Sequence, residues 1–478
     1  MEKNFDEGEI PGRKEEEIPV RKSKTITDMT TGSPMRHLLL FALPLLVGNI
    51  FQQLYMWADS IVVGNYVSGN ALAAVGNCGS TNFLFFSLSS GLAIGIGIIV
   101  AQYFGAKDEK NVRCTIANSL YVLISAALFI SLVGYLITPF VFSYVLETPP
   151  EILQDSIIYM RTTCLGIVGI ALYNGCAAVL RALGDSVTPL IFLVVSSVIN
   201  IGLDLFFVLA LGMGVAGVAL ATIIAQAVSA ATCMIYGYHR NPYFRLTKEE
   251  LKPNLDIIFR SFRLGLPVAL QNSMIAVSCI VLQRTVNGFG AEVMTAYTAT
   301  NRIEMLVQQP YGSLGMALTT YSGQNAGANK PERVKKGFRQ ATLMALVFSL
   351  CLIPVMYIFG SSIAWLFDKR EEVISIATGG LRITSLCYFG LGMIYVPRAV
   401  LNGCGDAGFA MVNGITEVLC RILYAPLLTS IPVLGFWGIW LTTIATWCTT
   451  AVVCLIRFQR GKWKQKFIVQ NSAVKGVA

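Results

Sequence analysis

Ala101-Gln102-Tyr103-Phe104-Gly105-Ala106 returns 222 residues later as Gly323-Gln324-Asn325-Ala326-Gly327-Ala328. The echo spreads in both directions. Pro44 recurs as Pro267 at an offset of 223 and Gly184-Asp185 as Gly405-Asp406 at 221. Gly214, Gly217, Leu220 and Thr222 recur as Gly435, Gly438, Leu441 and Thr443, again at 221. Anchors at one nearly constant offset mark a duplicated structural unit.

The duplicated unit is apolar. The chain is 54% hydrophobic and 13% charged, against a charged fraction of about 25% in soluble domains. Its mean hydropathy is +0.62. Stretches long enough to cross a bilayer, roughly 20 residues each, run from end to end. Twelve are expected: 37–63, 71–104, 111–138, 151–181, 187–210, 214–237, 257–286, 291–322, 332–367, 373–401, 408–430 and 434–457. The fold class is therefore an all-α polytopic membrane protein with twelve transmembrane helices in two six-helix repeats. Six spans per repeat is an even number, so both repeats enter the membrane in the same orientation. They are parallel, related by an axis along the membrane normal, and such duplication places a binding site between the halves.

The formal net charge of +9 is carried by alternate loops. Lys107, Lys110 and Arg113 follow span two, and Arg240, Arg245, Lys248 and Lys252 crowd the link after span six. Lys330, Arg333, Lys335 and Lys336 follow span eight, and Arg457 to Lys466 close the chain. Loop 64–70 carries no charge and loop 144–155 is acidic. The positive-inside rule puts the basic loops and both termini in the cytoplasm of a multi-pass cell-membrane protein. The distribution points to a lipid bilayer as partner and away from nucleic acid.

The expected organisation is a disordered cytoplasmic tail over 1–33, an N-lobe over 34–237 and a cytoplasmic linker over 238–256. A C-lobe over 257–458 and a C-terminal tail over 459–478 complete it. Twelve single cysteines without a Cys-x-x-Cys pair give no metal or disulfide spacing. Two histidines, His37 and His239, stand apart from any carboxylate or cysteine, so no enzyme is expected and no cofactor is implied. Gly95-x-Gly97 lacks the third glycine, strand and lysine of a phosphate loop.

Ionisable groups inside spans cost at least ~2.5 kcal/mol on insertion scales and each needs a reason. Gln52, Tyr55 and Asp59 share one face of span one with Gly48 and Pro44 below them. Pro44 removes a backbone hydrogen bond and supplies a kink point. Asn200 and Asp204 share a face of span five, and Thr222 of span six adds a hydroxyl. Two carboxylates sharing a poorly hydrated pocket cannot both ionise cheaply. Such a pair is suited to carry H⁺, and hard oxygen ligands also suit Na⁺, so the sequence leaves both ions open. The second repeat departs from this pattern: Asp59, Asn200 and Asp204 become Leu282, Arg421 and Ala425. Its own cleft candidates are Gln283, Glu304 and Glu417, with Glu417 one turn from Arg421 and placed to pair with it.

Taken together, Pro44 before Asp59, Ala101-Gln102 with Gly105-Ala106, Leu180-Arg181 before Gly184-Asp185, and Asn200-x-x-x-Asp204 resemble the multidrug and toxic compound extrusion (MATE) family over residues 35–460. The resemblance implies a V-shaped pair of six-helix lobes and an antiporter, with no catalytic residues, that expels bulky, often cationic organic compounds. It implies cation coupling at Asp59, Asn200, Asp204 and Thr222, supported by Gln52, Tyr55 and Asn174. One branch of the family also uses acids in spans seven and ten, and the stretches around Ile275 and Tyr395 have none. That departure is similar to the DinF branch and favours H⁺ over Na⁺. A monomer is expected. A lipid-linked glycan flippase of the same broad superfamily is the alternative, with Arg284, Arg302 and Arg421 as its candidate anion-binding groups.

Overall fold

The structure, a computed structural model, describes residues 26–469, apart from the side chain of Tyr55. Within a bilayer every peptide group must be satisfied along its own chain, so these apolar stretches become helices. They are α1 (Pro34–Tyr66), α2 (Gly69–Asn77), α3 (Gly79–Gly105), α4 (Glu109–Phe140) and α5 (Pro150–Leu165). There follow α6 (Ile167–Ala182), α7 (Val187–Leu205), α8 (Gly214–Arg240), α9 (Leu255–Asn287) and α10 (Ala291–Gly327). The last five are α11 (Pro331–Trp365), α12 (Glu371–Ser385), α13 (Tyr388–Gly403), α14 (Gly408–Thr429) and α15 (Gly438–Gln459).

Among the described residues, nine helices are long and apolar enough to cross a membrane alone. Two expected single spans are broken instead. α5 and α6 meet at 48° and α12 and α13 at 49°. The breaks are duplicated too, because the Gly166 N–H turns back to Thr163 and the Cys387 N–H to Thr384, an equivalent pair. These bent pairs bring the spans to eleven. The twelfth, α10, is long enough at 37 residues but rich in Thr, Asn and Gln. It is buried along most of its length, so protein replaces lipid as its surroundings and polarity is tolerated.

Helix contacts repeat with the sequence. α3 packs on α6 as α10 packs on α13, α4 on α6 as α11 on α13, and α7 on α8 as α14 on α15. Between the halves, α1 lies on α10 as α9 lies on α3, and α3 meets α10. Two helices cross from one half to the other. Leu38, Phe41 and Leu45 of α1 belong to the hydrophobic core of the second half, whereas Val62 and Val63 belong to that of the first. Leu264 and Val268 of α9 join the core of the first half and Leu282 and Val286 that of the second.

The halves close tightly at the basic side. Gly91 and Gly95 of α3 lie against Ala269 and Gly265 of α9, where an added Cβ would approach backbone atoms to 2.5 Å. At the quoted repeat, a Cβ on Gly105 would fall 1.9 Å from the Gln324 carbonyl oxygen, and one on Gly327 1.8 Å from that of Gln102. Glycine there is a requirement of backbone-to-backbone contact. Residues 26–33, expected to belong to a disordered tail, are held against this closure: Met29 donates to Gln324, and Asn325 and Arg333 donate to the Met29 carbonyl. At the other end Trp463, Phe467 and Ile468 are buried rather than free. Residues 1–25 and 470–478 of the two expected tails lie outside the described residues.

Candidate functional site

The packing of α1 on α7 and of α7 on α8 brings Asp59, Asn200, Asp204 and Thr222 together. Asn200 is 1% exposed. With its amide oriented so that both ends are satisfied, it donates to Asp59 Oδ1 at 3.1 Å and accepts from the Thr222 N–H at 3.2 Å. The Thr222 hydroxyl itself donates back to the Val218 carbonyl at 3.1 Å. Asp204 is fully buried, and among the described residues no N–H or O–H reaches either of its carboxylate oxygens. Its polar neighbour is the carboxyl group of Asp59, within hydrogen-bonding reach. Two carboxyl groups bond to each other only when one of them holds a proton. α7 then passes directly into a π-helical turn, Phe206–Ala210, an irregularity that often accompanies functional residues.

A further residue bears on the site. Tyr159 of α5 is 9% exposed and lies in the electrostatic field of Asp59 and Asp204, with its hydroxyl turned toward Asn82. Sequence reasoning missed both partners, because a tyrosine inside a span reads as packing. One signal existed: Asn82 stands where the second repeat has Glu304, at the same 222 offset as the glycine motif.

The family model described as MatE matches the chain twice, over residues 44–206 and 267–427, one match in each repeat. The chain belongs to the MATE family. It is a membrane transporter rather than an enzyme. "Probable multidrug resistance protein YoeA" of Bacillus subtilis is 27% identical over 448 residues, covering 92% of this chain and 96% of that one. "Probable multidrug resistance protein NorM" of Thermotoga maritima is 24% identical and covers 92% and 95%. Among solved structures, a transporter of the MOP superfamily from Pyrococcus furiosus superposes with a TM-score of 0.86 at 23% identity, covering 93% and 99%. A second, titled an outward-facing multidrug resistance MATE family transporter, gives 0.85 at 23% identity, covering 93% and 99%. These likenesses establish the twelve-span, V-shaped, two-lobed fold.

The other sequence candidates of this MATE chain fall into different places. Pro44 lies inside α1, half-buried, at the boundary between the part that joins the second half and the part that carries Asp59. Gln52 is half-buried two turns before Asp59, about 10 Å away along the axis. The side chain of Tyr55 lies outside the described residues. Asn174 of α6 has a buried amide nitrogen that meets no acceptor among the described residues.

In the second lobe, Gln283 does not join the acids; it donates to Asn287 on its own helix at 2.8 Å, at the surface. Glu417 pairs with Arg421 at 3.6 Å, both buried, and Arg421 also reaches Cys279 Sγ at 3.2 Å. Glu304 is buried beside Thr384 and in the field of Arg421, with its Oε1 unpartnered. The second lobe thus sets an arginine where the first has Asn200, and its acids face built-in positive charge. In the first lobe the two acids lie beside each other, and Asn200 donates to Asp59.

Proposed function

We propose that this transporter is a secondary active antiporter that exports bulky, cationic organic compounds in exchange for inward H⁺, with the coupling proton held by Asp59 and Asp204 of the N-lobe. The observation that carries the reading is the fully buried Asp204, whose oxygens meet no N–H or O–H donor among the described residues and which has another acid as neighbour. A single proton satisfies both groups at once. Asn200 and Thr222 hold Asp59 in register and Tyr159 lies in the field of both acids, so residues from α1, α5, α7 and α8 all sense its arrival. Na⁺ is the less favoured ion, because the same oxygens would have to ligate it without the second lobe's help. The pattern of acids accords with a DinF-like member of the family.

Multidrug resistance is printed in the names of the relatives from Bacillus subtilis and Thermotoga maritima, and export accords with it and with a cleft between two lobes. The basic loops favour a cytoplasmic-membrane location with both termini in the cytoplasm, and the lobes divide at the 238–256 linker. With the cleft open inward, drug enters against apolar surface and carboxylate counter-charge. After the turn outward, protonation of the acid pair removes that charge and releases the drug. Return inward delivers the proton to the cytoplasm. The driving energy is about 2.3 kcal/mol per charge per 100 mV, plus the pH gradient. The lipid-linked glycan alternative draws on basic groups in the C-lobe, and of these Arg421 is already committed to Glu417.

Proteoliposomes loaded with a small panel of dyes and given a pH gradient or a sodium gradient in turn test the reading. Efflux of cationic dyes under the pH gradient alone is the expected result. Efflux that follows sodium and ignores pH would overturn proton coupling.

A further inference from the structure

Residues 26–33 and 462–469, the first and last described segments, are placed alike on the closed side of the cleft. Gln102 and Gln324, equivalent by the repeat and both fully buried, sit where α3 and α10 touch. Gln324 donates to the Ala182 carbonyl of the N-lobe at 2.9 Å and accepts from the Met29 N–H at 2.8 Å. Gln102 donates to the Gly403 carbonyl of the C-lobe at 2.9 Å and accepts from the Ile468 N–H at 2.7 Å. Ala182 and Gly403 are themselves equivalent at 221. Each glutamine therefore bonds across the lobes and also carries one terminal segment.

The turns beneath the segments match as well. Gly184 and Gly405 both adopt a positive φ, +87° and +90°. A Cβ on either would meet a terminal segment, at 2.2 Å from the Thr27 carbonyl oxygen and at 2.8 Å from that of Lys466. The sequence motifs Gly-Gln-Asn-Ala-Gly-Ala and Gly-Asp, which the ion site does not use, are accounted for by these contacts.

The two segments are held by different chemistry. The C-terminal one buries Trp463, Phe467 and Ile468. The N-terminal one is held by charge and hydrogen bonds. Arg333 Nη2 donates to the carbonyls of Met29, Thr31 and Gly32, each at 3.1 Å, while its Nε holds Asn325 Oδ1 at 3.0 Å. Lys330 reaches the Thr30 carbonyl at 3.0 Å, and Lys107 of the N-lobe pairs with Asp28. Water competes with polar contacts at a surface and cannot replace a buried indole. The same segment runs on into α1, the helix that carries Asp59.

We propose that residues 26–33 and 462–469 are paired straps that lock the cytoplasmic side of the cleft, and that the N-terminal strap is the releasable one, let go by Arg333 when the lobes open inward. The lock joins the lobes through Asp28–Lys107 and Gln324–Ala182 on one side and Arg333 on the other. Cytoplasmic opening requires the Gln324–Ala182 bond and the Arg333 contacts to part, while Asp28–Lys107 keeps the strap on the N-lobe. The C-terminal strap stays with the C-lobe through its aromatic anchor and parts only from Gln102. The proposal rests on the transport reading for its purpose, but not on which ion is coupled.

Hydrogen exchange of the full chain in lipid nanodiscs tests it without substrate or ion gradient. In Arg333→Gln, uptake at 26–33 should rise at least tenfold over wild type. It should rise with it at 101–106, at 323–328 and at 462–469, because releasing one strap opens the whole closure. Gln324→Leu, which removes the strap's acceptor and leaves Arg333 in place, should give the same pattern, and Arg333→Lys a weaker one. A rise confined to 26–33 in both main variants would reduce the segment to a passive cover and overturn the lock. Unchanged uptake everywhere would overturn it equally. Failure of the dye-panel experiment would indict the coupling ion alone, since exchange reads the closure directly.

Discussion

Gly327→Ala places one methyl group where the structure has none to spare. The new Cβ would lie 1.8 Å from the Gln102 carbonyl oxygen, and ordinary contact begins at 3.4 Å. The backbones of α10 and α3 must therefore separate by about 1.6 Å, and neither partner is a flexible side chain. Forcing extra volume into a packed crossing costs about 1–3 kcal/mol. That cost falls on the closed state alone, because opening the cytoplasmic side moves the two helix ends apart. At about 1.4 kcal/mol per tenfold, the closed-to-open ratio drops roughly 5- to 150-fold.

Energy transfer between dyes on Lys110→Cys and Glu332→Cys would read it, in a background with the exposed Cys279, Cys351 and Cys448 changed to serine. Gly327→Ala should lower the transfer and slow pH-driven efflux, and Gly105→Ala should do likewise. Gly408→Ala, where an added Cβ meets nothing within 4 Å, should do neither. Unchanged transfer and efflux in Gly327→Ala would refute the argument that this backbone contact closes the cleft.

Other outcomes follow from the same geometry. Tyr159→Phe removes a buried hydroxyl in the field of Asp59 and Asp204, a loss of about 1 kcal/mol; proton-driven efflux should fall about three- to tenfold while thermal stability changes little, and wild-type efflux would remove Tyr159 from the site. Glu417→Gln leaves Arg421 buried without its partner, so the melting temperature should drop, in line with about 3–5 kcal/mol for such breakage. Arg421→Met should restore much of it in the double variant, whereas a double variant no better than Glu417→Gln would mean that the pair is not a unit.

Asp28 supplies a pH prediction. Its partial burial favours the neutral acid, but hydrogen bonds from Lys107 and Thr30 outweigh that and bring its pKa down to about 2. A depressed carboxylate stabilises the fold above its unfolded value of 3.8 and loses that contribution only as pH falls toward 2. Protection of residues 26–33, corrected for intrinsic exchange, should therefore stay flat from pH 8 to pH 5. A loss of protection within that range would show that Asp28 does not hold the strap.

The fold was legible because duplication and apolar length are properties of the chain itself. Pro44/Pro267 and the glycine motif announced two repeats, and the family model matches once in each. The polar character of α10 was the exception, since burial among other helices explains why Thr300, Thr320, Gln324 and Asn325 sit in a span. The acid pair was legible through what the second repeat lacks: Leu282 and Ala425 stand where Asp59 and Asp204 do. Tyr159 was not, because the bend between α5 and α6 is a three-dimensional fact with no periodic trace, and Asn82 left only its correspondence with Glu304 at the repeat offset. Residues 26–33 misled for a related reason. Their composition is that of a free tail, and their order comes from carbonyl groups docking on Arg333, which any sequence can offer.

Ethidium efflux by Asp204→Asn, measured beside wild type in proteoliposomes with an imposed pH gradient, tests the central claim most directly. An amide keeps the shape of the side chain and cannot take up and release a proton. The account predicts that the variant still binds the dye but no longer moves it against its gradient. Efflux at the wild-type rate would contradict it and remove the proton from Asp59 and Asp204.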